Sequence, residues 1–128
     1  MMKKLLTVVV LGLSVLSSSV VFNVAVAHES GKARHGGALA TASDLNFELV
    51  AQNGNAVIYI DDHGKPMAPI GMKGKLTVLN GTEKSEAALV VAGDKLEAQG
   101  VKLVKGAKVV VALTTPAAKA ITVRFMVK

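Results

Sequence analysis

The 128-residue sequence predicts an all-β protein, a single immunoglobulin-like antiparallel β-sandwich of about seven strands behind a cleaved signal peptide. Three observations carry this. Apolar residues recur with period two along most of the chain, Gly, Asn and Asp clusters punctuate it about every 8–12 residues, and no segment has a helical period. A small open barrel has the same strand periodicity and is the competing architecture.

The N-terminus has the three parts of a secretory signal: Lys3 and Lys4, an apolar run from Leu5 to Leu16, and a Ser-rich stretch ending in Ala25-Val26-Ala27. Small residues at 25 and 27 place cleavage after Ala27, so residues 1–27 are the expected leader and His28 the expected first mature residue. Ser17, Ser18, Ser19 and Asn23 interrupt the apolar run, which argues against a retained membrane anchor. The remaining chain, roughly a hundred residues, is one ordinary domain. The chain has no Cys, so its stability has to come from an apolar core without disulfides. A bacterial periplasm is the expected compartment, with no membrane association after cleavage.

Residues 28–37, HESGKARHGG, are polar and aperiodic and read as a flexible lead-in to a sandwich domain over 38–128. Leu45, Phe47 and Leu49 then alternate with Asn46 and Glu48, predicting a strand with one apolar and one wet face. Val57 to Ile60 is a β-branched and aromatic run between Asn53-Gly54-Asn55 and Asp61-Asp62-His63-Gly64, turn chemistry on both sides. In the segment 61–66, Gly64 supplies a positive φ and Pro66 is expected to end the pairing. Asn80-Gly81 is a two-residue hairpin signal that pairs 75–79 with 84–92. A short strand follows around Leu96, then a break at Gly100, Val101 with Leu103, and a Lys105-Gly106 turn. Val109 to Thr115 has the nearly continuous β-branched character of a central strand, and Ile121, Val123, Phe125 and Val127 alternate with polar neighbours.

Composition excludes several functions. Removing Lys3 and Lys4 with the leader lowers the formal charge from +6 to +4, since no acidic residue leaves with them. The other basic residues, among them Lys73, Lys75, Lys84, Lys102, Lys105 and Lys108, are scattered, and one Tyr, three Phe and no Trp leave few rings for base stacking. Nucleic acid is therefore not an expected partner. Phosphate-cradling glycine loops, a nucleophile elbow and His-Glu-x-x-His are all missing, so the chain is not expected to be an enzyme.

The three histidines are the candidate chemistry. His28 would offer an imidazole and a free α-amine, both able to bind a metal near neutral pH. His35, or His63 in its turn, would add a further imidazole nitrogen, making the nitrogen set that Cu(II) favours. Asp61 beside that turn is a weaker, oxygen donor. Met67 and Met72 are soft thioethers that could serve Cu(I), although single methionines more often fill gaps in cores. Zn(II) is also compatible with His ligands.

Several short stretches carry a resemblance: His35-Gly36-Gly37, Phe47-Glu48-Leu49-Val50, Tyr59 with Asp61-Asp62-His63-Gly64-Lys65-Pro66, and Val123-Arg124-Phe125. They resemble small periplasmic proteins associated with heavy-metal efflux systems. Similar His-Gly-Gly and Phe-Glu-Leu elements occur in the periplasmic adaptor subunits of metal-exporting pumps. An N-terminal His is also similar to CopC-type copper-resistance proteins, periplasmic β-sandwiches that hold Cu(II) with such a residue, a likeness resting on one residue and a fold class. The resemblance implies a copper-binding or copper-delivery protein with an efflux adaptor as partner, and it directs attention to His35 and His63. The competing expectation is a metal-free module whose sheet edge docks on such an adaptor or another envelope protein.

Overall fold

A computed structural model describes residues 32–128, so the leader and His28 lie outside the described residues. Nine strands run in chain order: β1 Ala38–Ala42, β2 Leu45–Gln52, β3 Asn55–Asp62, β4 Lys65–Met67, β5 Lys73–Asn80, β6 Glu83–Ala92, β7 Lys95–Ala98, β8 Lys108–Thr114 and β9 Ala120–Met126. All pairings are antiparallel, and among the described residues there is no helix. The hydrogen-bonded order is β1-β2-β3-β7-β6-β5-β8-β9, with β4 added to β3.

The predicted all-β antiparallel fold is therefore what forms. The strand count exceeds the expected seven because two short segments, β1 and β4, join the ladder without a clear period of their own. β6 makes the corner: Glu83–Leu89 pair with β5, and Val90–Ala92 pair with β7. One strand thus serves both halves of the sheet, as in sandwiches whose strands switch layers. The sheet curls until its two ends, β1 and β9, lie alongside each other, without a ladder between them among the described residues. The result is intermediate between a sandwich and a nearly closed barrel.

Alternation places the core. Phe47 and Leu49, Ile58 and Ile60, Leu76 and Val78, Leu96 and Ala98, Val109, Val111 and Leu113, and Ile121, Val123 and Phe125 all turn inward into one apolar cluster. Burying a side chain of this size is worth about 1.5–3 kcal/mol. Val101 is also buried, and Leu103 packs against the same cluster, although neither lies in a strand. Met72 belongs to the core and Met67 packs on it, which is the gap-filling role.

Turn chemistry sets the register. In the two-residue loops Ser43-Asp44, Asn53-Gly54 and His63-Gly64 both residues have positive φ, matching the twist that tight hairpins need. Two details differ from expectation. Asn80 stays in the ladder opposite Glu83, so the loop is Gly81-Thr82, with Gly81 at φ 62°. Pro66 does not end the pairing after His63-Gly64; it lies within β4 opposite Asp61, a place open to Pro because the strand is short and peripheral.

Leu76 is fully buried on β5, between β6 and β8. Leu76→Ala is expected to lower unfolding free energy by about 3 kcal/mol. The exposed Met126 on β9 should tolerate Ala within about 0.5 kcal/mol. Urea unfolding followed by circular dichroism checks both, and the m-value of each variant should match that of the parent.

Candidate functional site

The expectation for β2 fails at one residue. Glu48 points to the outer, supposedly wet face, yet it is only 6% exposed, the one buried charged residue among those described. A carboxylate out of water needs donors, and the lead-in supplies them. The backbone N–H groups of His35 and Gly37 both donate to Glu48 Oε2, each at 2.9 Å. His35 Nδ1 lies 3.0 Å from Glu48 Oε1. Two amides converging on one oxygen around Gly36, at φ 70°, form the concave anion-binding arrangement of a backbone nest. Here its anion is part of the same chain.

Burial by itself pushes the Glu48 carboxyl up. The Gly37 amide, the His35 ring and the His35 amide overcome that and hold it below its ordinary value. The carboxylate is thus ionised at neutral pH and can only accept. The His35 Nδ1–H is therefore the donor of this pair, and in the neutral ring that tautomer puts the lone pair on Nε2.

The ring is fixed from its other side too. The His35 imidazole stacks on Tyr59, with centroids 3.7 Å apart and planes 6° from parallel. Tyr59 and Glu48 are direct cross-strand partners on β3 and β2, so the pairing itself sets the distance between the ring platform and the carboxylate. Gly37 is required for a different reason. A Cβ there would lie 2.2 Å from the Leu49 carbonyl oxygen, so only glycine lets the lead-in approach β2 closely enough for its amide to reach Glu48.

Polar residues extend the platform. Thr41 donates to Asn46, Asn46 Nδ2 donates to Asp61 Oδ1 at 3.1 Å, and the Gly64 amide donates to the same Asp61 oxygen. On the other side Gln52 Nε2 donates to the Tyr59 hydroxyl, and Lys95 Nζ donates to Gln52 Oε1. The Arg34 guanidinium donates to the Gly64 carbonyl, tying the lead-in to the β3–β4 turn. The lead-in that was expected to be flexible is therefore pinned at Arg34, His35 and Gly37. Between it and the sheet lies a cleft of about 220 Å³, lined in part by Lys32, Arg34, His35, Leu39, Tyr59 and Asp61.

The predicted ligands fare differently. His28 lies outside the described residues. His35 is half in and half out of the surface, one nitrogen committed to Glu48. His63 is exposed, at φ 50° in the first position of its turn, and bonded to Asp62. That bond and the Asp62 charge raise its pKa above the ordinary value, so a proton competes harder with any metal there. Asp61 spends one oxygen on Asn46 and Gly64, while Met67 and Met72 serve the core. Among the described residues, no group of three or more His, Cys, Asp or Glu side chains is placed to hold a metal ion.

Glu48 and Tyr59 are what reasoning from residues alone missed as site members. The signal was present, since His-Gly-Gly and Phe-Glu-Leu are the two halves of one contact. Comparisons of the chain with models of known protein families, with curated proteins and with solved structures found no match.

Because its folded pKa is depressed, ionised Glu48 stabilises the fold at pH values above its ordinary value of 4.5, and this contribution fades as pH falls through the folded pKa. Glu48→Gln is expected to lower stability by about 2 kcal/mol at pH 7. In thermal melts taken from pH 7 to pH 2.5, the gap between the variant and the parent should close progressively below pH 4.5. Gly37→Ala, which forces the lead-in off β2, should abolish the His35–Tyr59 ring-current shifts in the NMR spectrum while the core signals persist.

Proposed function

We propose that the chain is a periplasmic metal-binding or metal-delivery protein, for Cu(II) in the first place and Zn(II) in the second, in which His35 presents Nε2 to the cation. One observation carries this reading. Glu48 Oε1 lies 3.0 Å from His35 Nδ1, and a carboxylate on the far nitrogen is the arrangement that fixes the tautomer and raises the basicity of a ligating imidazole. Tyr59 holds the ring plane, so a cation would meet a nitrogen already oriented.

The donors among the described residues fit such an ion as far as one strong ligand. Both Cu(II) and Zn(II) accept an imidazole nitrogen. The His28 imidazole and the α-amine that cleavage after Ala27 would expose supply the remaining nitrogens in this proposal. His63 is left out, because its turn geometry and its bond to Asp62 already account for it. The resemblance of His35-Gly36-Gly37 and Phe47-Glu48-Leu49 to elements of metal-efflux adaptors supports placing the protein near such a system, with an adaptor subunit as partner.

Calorimetric titration of the processed, untagged protein with Cu(II) tests the reading, after mass spectrometry has fixed its first residue. His35→Ala and His28→Ala should each weaken binding at least about tenfold. His63→Asn, which tolerates the positive φ, should leave it unchanged. Micromolar or weaker binding that ignores both substitutions would overturn the proposal and favour the metal-free docking module.

A further inference from the structure

We infer that the β6 edge over residues 84–88 is a self-complementary interface through which two copies of this chain pair, β6 against β6, as a two-fold dimer. The inference stands apart from the metal-binding reading and uses none of its residues.

The parity of the ladder opens this edge. The pair Asn80 and Glu83 flanks the two-residue loop Gly81-Thr82, so Glu83 exchanges its backbone bonds with β5, and by alternation so do Ser85, Ala87 and Leu89. Lys84, Glu86 and Ala88 turn their N–H and C=O groups to the other side. On that side β7 pairs with Val90–Ala92, and among the described residues no strand pairs with β6 over 84–88. The stretch has no Pro, and Lys84, Ser85, Glu86 and Ala88 are exposed. By contrast, the short edge strand β4 has Pro66 in its middle, which removes a donor.

A second copy satisfies these groups in one register. Outward-turned residues must meet outward-turned residues, so the two-fold axis has to pass through a residue position. An axis at Ser85 sets Lys84 opposite Glu86 of the second copy, and Glu86 opposite its Lys84, which pairs opposite charges twice. An axis at Lys84 or at Glu86 sets like charges face to face. An axis at Ala87 runs the second strand along Val90–Ala92, where β7 already holds the edge. With the axis at Ser85, Thr82 of one copy lies opposite Ala88 of the other, and the tight turn carries the chain away just before β7 begins to pair at Val90. Charge and length thus select the same register.

Charged side chains on an edge ordinarily deter pairing. Here their alternating sign admits one arrangement. The existing ion pairs of Glu86 with Lys75 and Lys84, 3.4 Å each, are exposed and give way at little cost. The contact also closes on itself, since each copy uses the edge once and none is left for a third chain.

Sedimentation velocity on the processed, untagged protein from about 10 μM to about 1 mM tests this, with dimer expected in the upper part of the range because a contact of this size is weak. Glu86→Lys and Lys84→Glu should each weaken dimerisation about tenfold, since each sets like charges opposite one another twice per dimer. The double variant K84E/E86K should recover it. The chain has no Cys, so Ser85→Cys supplies a single thiol at the axis, in a non-hydrogen-bonded pair whose Cα atoms lie about 4.5 Å apart, within reach of a disulfide. It should oxidise to a covalent dimer at least about tenfold faster than Lys102→Cys, an exposed control away from the edge. A parent protein that stays monomeric at about 1 mM overturns the inference, as does a dimer indifferent to the charge substitutions. The parent measurement needs no variant, and either result leaves the Cu(II) titration to decide the metal-binding reading by itself.

Discussion

A carboxylate taken out of water on the face of a β-sheet has to be given donors, and at Glu48 the lead-in gives them. Three bonds follow from that need: two from backbone amides and one from an imidazole. They decide the path of residues 34–37, the orientation of the His35 ring, its contact with Tyr59 and the identity of residue 37. An exposed Glu at the same position would have asked for none of this.

The curl of the sheet explains why only one half acquires such a cap. The outer face of β1, β2 and β3 presents Leu39, Glu48 and Tyr59 as a row across three strands, with Asn46 and Asp61 beside it. The lead-in enters β1 next to that row and can fold back across it. On the other half, outward residues such as Lys75, Lys108, Thr122 and Arg124 remain exposed. Their neighbourhood offers surface ion pairs, Lys75 and Lys84 each 3.4 Å from Glu86, of the kind that contribute little in high dielectric. The two outer faces therefore differ in chemistry although their strands follow the same alternation.

Two histidines beside carboxylates have opposite meanings here. At His63 the partner is the adjacent, exposed Asp62, and the residue itself occupies a left-handed turn position. Local chain geometry accounts for it. At His35 the partner is 13 residues away and buried, and the ring lies on an aromatic platform from a third segment. Holding an imidazole between a carboxylate of β2 and a ring of β3 is a property of the fold and not of the local sequence.

Period-two alternation determined the all-β fold, the inward positions of Phe47, Leu76, Val111 and Phe125, and the hairpin around Gly81, because strand side chains alternate and tight turns demand Gly, Asn or Asp whatever lies elsewhere. The same rule put Glu48 on the wet face, and there it failed. Alternation specifies which side of a strand a residue takes, and it carries no information about what another segment will lay over that side. The short strands β1 and β4 were illegible for a related reason: Ala-rich and Pro-containing segments have little β preference, and they become strands by pairing with β2 and β3. Only the tertiary structure could join His35, Gly37, Glu48 and Tyr59, since contacts between residues 11 to 24 positions apart arise from how the sheet brings its strands and its lead-in together.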